Sequence, residues 1–391
     1  MEDVVIVGAA RTPVGKLLGS LSSVPATRLG AVAIRAALDR AGVDPVEVDE
    51  VVMGHVLTAG VGMAPARQAA ISAGVPERAS ALTVNKVCAS GLAAVVVGAR
   101  EVATRAADVV VAGGMENMSQ APHLIRGSRA GLRLGPGELV DSAISDGLWC
   151  AWENHHMGNS AEEIARKYGL AREQQDALAL ESHRKAVAAT DSGRFRPEIV
   201  GVEVREKTGP TLIEIDEGPR RDTSMEALAR LAPSFERGGT VTAGNSPGLS
   251  DGAAALVLAS DSRARERGWP VRARITGCVS ANLEPRWLFD APAEAVKRLL
   301  ERTGLALEDV DLIEINEAFA ATVLAAERVL GWDRDRVNVK GGALALGHPI
   351  GCSGARILVT LLHSLEEMGL HRGIAVLCHG GGGAVAVSVE R

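Results

Sequence analysis

The stretch VNKVCASGL (84–92) places Cys88 at the point where an extended run turns into a predicted helix. A thiol at a helix N-terminus lies near the positive end of the helix dipole and near free backbone N–H groups, and both lower its pKa. The stretch therefore indicates a thiolate nucleophile made without a metal ion. A buried structural cysteine is the alternative, because free cysteines are among the most buried residues in protein cores.

A histidine lies in the stretch NVKGGALALGHPIGCSG (338–354), between Gly347 and Pro349. Glycine allows a close approach of the backbone, and proline stiffens the chain beside His348. An imidazole held in this way can polarise a carbonyl group or accept a proton from a thiol. A surface histidine in a loop is the alternative.

A predicted strand ends at Asn316 and Glu317 in EINEAFAA (314–321). The amide of Asn316 could orient a water molecule or donate a hydrogen bond to an oxyanion. A helix N-cap is the less specific alternative for this asparagine.

The stretch LCHGGGGAVAV (377–387) places Cys378 before four glycines. Glycine is costly in a strand, so a row of four indicates a turn with unhindered N–H donors, which suits an oxyanion hole. A phosphate-binding loop would need a following helix and a lysine. Here AVAVSVE (384–390) is predicted to be a strand, so we expect a tight turn that exposes Cys378 at a strand end.

Short β-branched runs alternate with Ala-rich helical stretches, which predicts an α/β fold. The predicted strands cover 4–8, 50–56, 107–114, 271–279, 309–319 and 373–381. The predicted helices between them cover 27–42, which Gly42 ends, 91–105, 292–304 and 354–369. Two stretches, CASGLAAVVVGA and GCSGARILVTLL, align when Ser90 is set against Ser353, which favours an internal duplication.

Residues 121–245 interrupt the first repeat with Gly- and Pro-rich loops and a pair of polar helices over 160–190. Long insertions in compact α/β domains are usually functional. We therefore predict an N-terminal half (1–120 with 246–270), an inserted loop domain (121–245) and a C-terminal half (271–391).

The 391 residues carry a formal net charge of −6, without the basic face that a nucleic-acid-binding protein shows. No stretch reaches the roughly 18 consecutive apolar residues of a membrane span. An odd number of widely spaced cysteines without a Cys-x-x-Cys pair argues against disulfides and zinc, and the N-terminus has no basic leader. We expect a cytoplasmic protein that binds no metal, nucleic acid or membrane.

Five motifs together are similar to those of the thiolase family, in the family's order. They are VNKVCASGL, GGMENMSQAP (113–122), NEAFAA, GGALALGHPIGCSGARI and LCHGGGGAVAVSVE. The resemblance runs from VGAARTPVGK (7–16) to the C-terminus and is strongest to biosynthetic members that transfer acetyl groups between CoA thioesters. It implies two βαβαβαββ halves in five α-β-α-β-α layers, with a loop domain inserted in the first.

The resemblance also implies catalytic roles. Cys88 would take an acyl group from an acyl-CoA, and His348 would accept its proton. Cys378 would protonate or deprotonate the α-carbon, while Asn316 would hold a water that stabilises an enolate oxygen with His348. The backbone N–H groups of Cys88 and Gly380 would form a second oxyanion hole.

Coenzyme A would be a substrate and no cofactor would be permanently bound. The resemblance implies that His156 contacts pantetheine, that Met157 lines the acyl pocket and that Arg220 lies near the adenine with Arg221 beside it. For the two arginines, solvated surface charge is the alternative. The other implied CoA-binding or tunnel residues are Leu148, Phe235, Ala243 and Phe319.

The sequence departs from the family pattern at four places. Pro247 and Ala227 replace serines that the family commonly has around CoA. The segment EPRWLFDAP (284–292) stands where Met-Gly-x-Gly-Pro is common, so we expect an altered wall of the acyl pocket. His379 follows the second cysteine where an apolar residue is usual, and strand alternation predicts that its ring points away from Cys378.

Two other functions stay open. One is a decarboxylating condensing enzyme of the ketoacyl-synthase type, which would lack the second cysteine. The other is a non-catalytic carrier of acyl-CoA or lipid with the same fold. The loop PHLIRGSRAGLRLGP (122–136) resembles the segment that ties biosynthetic thiolases into tetramers, so we expect a homotetramer built as a dimer of dimers.

Overall fold

The structure is a computed structural model and describes residues 2–207 and 209–391. The strands β1 to β16, in chain order, are Val4–Arg11, Gly15–Lys16, Glu50–Gly54, Ser80–Val84, Val109–Asn117, His123–Leu124, Val140–Asp141, Trp149–Cys150, His155–His156, Val202–Glu206, Gly209–Ile213, Ser250–Ser260, Ala273–Asn282, Leu312–Ile315, Arg372–His379 and Gly383–Glu390. The helices α1 to α11 are Ala26–Ala41, Pro65–Ser72, Ser90–Ala103, Met157–Tyr168, Arg172–Asp191, Met225–Ala229, Asp261–Arg267, Ala291–Thr303, Ala320–Leu330, Ala343–Leu346 and Ser353–Met368.

The main sheet has the strand order β14-β15-β16-β13-β1-β12-β5-β3-β4. At its middle, β1 and β13 share only the pairs Val5↔Arg274 and Ile6↔Ala273, so the sheet divides there into two parts. Each part has parallel strands followed by an antiparallel strand that pairs with the first strand of its half. The third strand of the second half is reduced to a parallel bridge between Ile313 and Val337. The predicted duplication is therefore confirmed.

Five layers follow from where the apolar faces are buried. Helices α1 and α2 cover the outer face of the first part of the sheet. Helices α8 and α9 cover the outer face of the second part. Between the two parts, α3 and α11 share a third cluster with strands from both. Every residue of α11 from Ser353 to Leu365 is buried, including Arg356 and His363, so this helix lies in the middle of the protein.

The central helices meet at the two Ser-Gly pairs that revealed the duplication. A side chain on Gly91 would lie 2.8 Å from the backbone nitrogen of Ala355, and one on Gly354 would lie 2.4 Å from that of Leu92. Both positions are glycine because the helix backbones touch there. The crossing brings together the N-terminal ends of α3 and α11, and hence the loops that contain Cys88 and His348.

The predicted elements agree with the structure apart from their ends. The run predicted over 309–319 is a strand only from Leu312 to Ile315, because the chain leaves the sheet at Asn316. The polar helices predicted over 160–190 are α4 and α5, and α4 begins earlier, at Met157. Within the described residues, no helix is both long and apolar enough to cross a membrane.

Candidate active site

A cavity of about 240 Å³ lies at the end of the central helices. Its wall includes Cys88, His348, Cys378 and Gly380, and Asn316 lies directly behind His348. The four catalytic side chains predicted from separate stretches of the chain are therefore neighbours in space, together with the predicted backbone donor Gly380.

Cys88 is held in a strained turn just before α3. Val87 has φ 48°, a left-handed conformation that a β-branched residue rarely adopts. The hydroxyl of Ser90 donates to the Val87 carbonyl at 2.6 Å and accepts from the Lys86 N–H at 2.8 Å, which fixes the turn. Strain of this kind persists where the surroundings over-determine a functional geometry.

Burial raises the pKa of the Cys88 thiol to about 12. The backbone N–H groups of Cys88 and Gly380 both act on the sulfur and favour the thiolate, but they do not outweigh the loss of hydration. The prediction of a lowered pKa is therefore wrong for the free protein. The thiol is protonated near neutral pH, so it needs a base at the moment of attack.

His348 is positioned by backbone and side-chain contacts from three segments. The backbone N–H of His348 donates to the Gly248 carbonyl at 3.1 Å and to the Ser250 hydroxyl at 3.2 Å. Gly347 before it has φ 104°, and a side chain there would lie 2.2 Å from the Ser250 Oγ. These contacts fix the backbone of His348 at the cavity, which the residue lines.

The hydrogen bonds of His348 identify its tautomer. The Ser353 hydroxyl donates to the Pro349 carbonyl at 3.0 Å, so it accepts from Nδ1–H of His348 at 2.6 Å. This assignment leaves Nε2 without a proton, so it accepts a long hydrogen bond from Asn316 Nδ2–H at 3.4 Å and can accept a proton. Burial, with a smaller effect of the Arg356 charge, lowers the pKa of His348 to about 3, so the ring is neutral.

Asn316 follows β14 and is fully buried. Its Nδ2 lies 3.4 Å from His348 Nε2, and its Oδ1 has no hydrogen-bond partner within residues 2–207 and 209–391. Phe319, rather than Asn316, is the residue that precedes α9, so the N-cap alternative does not apply.

Cys378 lies at the end of β15, opposite Ala384 in the hairpin with β16. Gly381 and Gly382 both have φ 90°, so the predicted tight turn is confirmed. Burial, and then the nearby Cys88, raise the pKa of Cys378 well above its ordinary value.

His379 is buried beside this turn and also borders the cavity. Its ring occupies the space that a side chain on Gly383 would take, and its Nδ1 donates to the Gly380 carbonyl at 2.8 Å. His379 therefore braces the turn that presents the Gly380 N–H.

The residues predicted to bind CoA divide into three groups. Five line the cavity with the catalytic residues: Leu148, His156, Met157, Phe235 and Phe319. Arg220 and Ala243 line a second cleft of about 370 Å³, which shares Ser246, Gly248 and Leu249 with the first. Arg221 lines neither, because its exposed guanidinium pairs with Asp191 at 2.5 and 2.7 Å.

A row of aromatic rings forms one side of the cavity. His156 stacks on Phe235 with ring centroids 4.8 Å apart, and Phe235 meets the edge of Phe319 at 6.1 Å. The Gly158 N–H donates to His156 Nδ1 at 3.0 Å, so the neutral ring carries its proton on Nε2. This side of the cavity is therefore apolar, apart from one hydrogen-bond donor, the Nε2–H of His156.

Sequence reasoning missed several positioning residues. Ser353 was used only to align the repeats, although it stands five residues after His348 and fixes its tautomer. Glu116, within the motif GGMEN, accepts hydrogen bonds from the N–H groups of Val56, Leu57 and Gly351 and so holds two loops of the site. Nothing in these motifs signals such contacts, because the partners are distant in sequence. Throughout residues 2–207 and 209–391, no three His, Cys, Asp or Glu side chains lie close enough together to hold a metal ion.

Comparisons with known proteins agree over the whole chain. The family model described as "Thiolase, N-terminal domain" matches residues 4–262, and "Thiolase, C-terminal domain" matches residues 269–391. A Pseudomonas aeruginosa protein named acetyl-CoA acetyltransferase is 53% identical over 100% of both chains, and one of the same name from Cupriavidus necator is 51% identical, again over 100% of both. The solved structure of acetyl-CoA acetyltransferase from Syntrophomonas wolfei is 42% identical and matches with a TM-score of 0.98 over 100% of both chains.

Proposed function

Because the chain belongs to the thiolase family, we propose that it is a CoA-dependent acyltransferase that joins two acetyl-CoA into acetoacetyl-CoA, or cleaves a 3-ketoacyl-CoA with CoA, through an acyl-cysteine. The observation that carries the proposal is the single cavity bordered by Cys88, His348 and Cys378. Two thiols and a neutral imidazole whose Nε2 carries no proton are the groups that such a reaction requires.

In the first half-reaction, His348 Nε2 takes the proton of Cys88 as the sulfur attacks the thioester carbonyl. The carbonyl oxygen becomes an oxyanion, which the N–H groups of Cys88 and Gly380 stabilise. Collapse of the tetrahedral intermediate breaks the bond to the CoA sulfur. The Cys378 thiol gives its proton to that leaving thiolate, so CoA leaves as the neutral thiol. Cys88 is then acylated, Cys378 is a thiolate and His348 keeps the proton that it took from Cys88.

In the second half-reaction, Cys378 acts as a thiolate and takes a proton from the methyl group of acetyl-CoA. The enolate oxygen is stabilised by His348 and by a water molecule bound to Asn316. The enolate carbon attacks the acyl-Cys88 carbonyl, and the bond to the Cys88 sulfur breaks as the 3-ketoacyl-CoA forms. His348 returns its proton to that sulfur, which restores the starting thiol. Thiolysis runs through the same steps in reverse, and the concentrations of CoA and acetyl-CoA decide the direction.

The CoA molecule would lie along the two connected cleft regions. Its pantetheine arm would contact the Nε2–H of His156, and its adenine would lie near Arg220 and Ala243. We propose that residues 121–245, which supply most of these contacts, are the CoA-binding loop domain between the two halves 1–120 with 246–270 and 271–391. Pro247 borders the cavity and offers neither a hydroxyl nor an N–H, so this chain binds CoA there through apolar contact.

The exposed apolar residues of the loop after β6 support the proposed homotetramer. Leu132, Leu134 and Leu139 are 60%, 99% and 65% exposed, and side chains of this kind in one loop indicate a protein contact. A cytoplasmic location and a role in fatty-acid metabolism complete the proposal, since acyl-CoA and CoA are its partners.

The alternative functions predict different reactions. A ketoacyl-synthase-type enzyme would release CO₂ from malonyl-CoA, and a carrier would bind acyl-CoA without turnover. The buried thiol of Cys378 beside Cys88 favours the thiolase reaction, because a decarboxylating enzyme needs no base at the α-carbon.

The deciding experiment is to mix the purified protein with acetoacetyl-CoA and CoA and to follow acetyl-CoA formation. We expect two acetyl-CoA for each acetoacetyl-CoA consumed, and no CO₂ from malonyl-CoA. Release of CO₂, or binding without product, would support one of the two alternatives instead.

A further inference from the structure

The segment between β13 and α8 supplies a wall of the cavity with two bulky side chains. Leu288 and Phe289 both line the cavity and are each only 2% exposed. When the Met-Gly-x-Gly-Pro motif common in the family is aligned on Pro292, its first glycine, which has no side chain, falls at Phe289. In this chain a phenyl ring occupies that space.

The ring of Phe289 is fixed by its aromatic neighbour. It meets Phe319 edge to face, with centroids 5.5 Å apart and planes at 73°, and Phe319 in turn meets Phe235. Edge-to-face pairs are favoured beyond the area that they bury. Turning Phe289 out of the cavity would break this packing, so the ring is a rigid part of the wall.

The segment itself is tied down at its two ends. At the first end, the Leu283 N–H donates to the Gly382 carbonyl at 2.7 Å, which connects it to the turn after Cys378. At the other end, Asp290 accepts from the Tyr168 hydroxyl at 2.7 Å and from Lys167 Nζ at 2.5 Å, both on α4.

Lys167 also reinforces this attachment through Trp287. Its ammonium lies 4.5 Å from the centroid of the Trp287 ring, which contacts α4 and does not line the cavity. The wall therefore cannot move away from the catalytic turn or from α4, whose first residue, Met157, also lines the cavity.

We propose that Phe289 is a specificity-determining residue that limits the acyl chain to short, unbranched groups. The inference rests on the proposed function and concerns the acyl end of the same cavity. Protein interiors are close-packed, so a ring that packs on Phe319, in a segment held at both ends, excludes an acyl tail that would need its space. Each methylene that a pocket cannot accommodate changes discrimination by about 10- to 200-fold.

The test compares kcat/KM for thiolysis of 3-ketohexanoyl-CoA with that of acetoacetyl-CoA. In Phe289→Ala we expect the ratio of the longer to the shorter substrate to rise by about 10-fold or more. Phe289→Leu, which keeps an apolar side chain and a filled core, should raise the ratio in the same direction by less. If the alanine variant does not fold, the leucine variant decides the result.

Trp269→Ala is the control, since it removes an aromatic ring that packs against the cluster beneath α1 and does not line the cavity. We expect its ratio to equal that of the unaltered protein. An unchanged ratio in folded Phe289 variants, or an equal rise in Trp269→Ala, would overturn the role of Phe289. Failure of the unaltered protein to cleave either substrate would instead contradict the proposed function.

Discussion

At the scale of single residues, the site is built from groups that are uncharged at rest. Burial raises the pKa of Cys88 to about 12 and lowers that of His348 to about 3, so a thiolate–imidazolium pair is not the resting state. The two N–H groups beside the sulfur are the donors that would stabilise the oxyanion in the proposed reaction. Charge therefore appears in the cavity only while substrate is reacting.

The first prediction concerns the titration of Cys88. Because its thiolate is the reactive form and its pKa is raised to about 12, the rate of alkylation by iodoacetamide should rise about tenfold per pH unit from pH 7 to 9. The measurement is mass spectrometry of the peptide that contains Cys88. A rate that reaches a plateau below pH 8 would show a lowered pKa, and Cys88→Ser, which removes the labelled site, is the control.

Ser353 is a positioning residue, because it acts through His348 Nδ1. In Ser353→Ala we expect kcat to fall by about 10- to 100-fold with KM nearly unchanged, since the imidazole loses its fixed tautomer. Steady-state thiolysis kinetics measure this split, and Ser353→Thr should recover most of the loss because it restores the hydroxyl.

Ser364→Ala provides the matched control on the same helix. The Ser364 hydroxyl is buried and has no hydrogen-bond partner in the described part of the chain, so its removal should leave kcat unchanged. Equal losses of kcat in the two serine variants would show that α11 packing, and not the His348 contact, is responsible.

At the scale of elements, two close backbone contacts assemble the site. The crossing of α3 and α11 at Gly91 and Gly354 sets the distance between the cysteine and histidine loops. The turn after Cys378 also contacts the segment between β13 and α8. A side chain on Gly382 would lie 2.5 Å from the carbonyl oxygen of Leu283 in that segment. Glycines at these points are needed for contact between elements as well as for turning.

The helix crossing can be tested with Gly354→Ala. Its new methyl group would lie 2.4 Å from the backbone nitrogen of Leu92, so the helices must separate, and we expect a loss of stability of about 1–3 kcal/mol. Denaturant unfolding measures the loss, and thiolysis should fall with it because Cys88 and His348 move apart. The exposed change Arg298→Ala, on α8, is the control and should stay within about 0.5 kcal/mol. A Gly354→Ala protein as stable as the control would contradict the close crossing.

At the scale of the whole molecule, the insertion between β5 and β12 connects the two halves. A buried cluster joins β1 to the insertion, where Arg11 pairs with Glu198 at 2.6 Å and with Asp216 at 2.7 Å. Lys340 of the second half lies 3.8 Å from the same Glu198. The insertion thus contacts both halves through Glu198. Its loop with Leu132 and Leu134 remains exposed.

The exposed loop leads to a prediction about assembly. Replacing Leu132 and Leu134 together by Asp should lower the molar mass in solution, measured by light scattering during gel filtration, while thiolysis per subunit is kept. The physical reason is that charges would be buried without partners if the loop were in an interface. Leu212→Asp, at another exposed leucine, is the control. An unchanged mass in the double variant would mean that this loop does not hold the subunits together.

Much of this protein is determined by its sequence alone. Alternating apolar runs and the repeated Ser-Gly pair predicted the duplicated fold, and the row of glycines predicted the turn after Cys378. The five motifs indicated the family. Each of these signals lies within a short stretch of the chain. The convergence of Cys88, His348, Asn316 and Cys378 was predictable through the resemblance, since each belongs to a motif.

Other properties were decided only by the tertiary structure, because they depend on groups that are distant in the chain. The helix terminus at Cys88 predicts a lowered pKa, but the packed walls of the cavity reverse the sign. For Arg221 the sequence left CoA binding and surface charge open, and only the structure shows its ion pair with Asp191. The sequence predicted an altered pocket wall at 284–292, but only the structure shows that Phe289 lines the cavity against Phe319 and that Trp287 does not line it. Desolvation, pairing and packing are sums over spatial neighbours, and only the folded chain defines which residues those are.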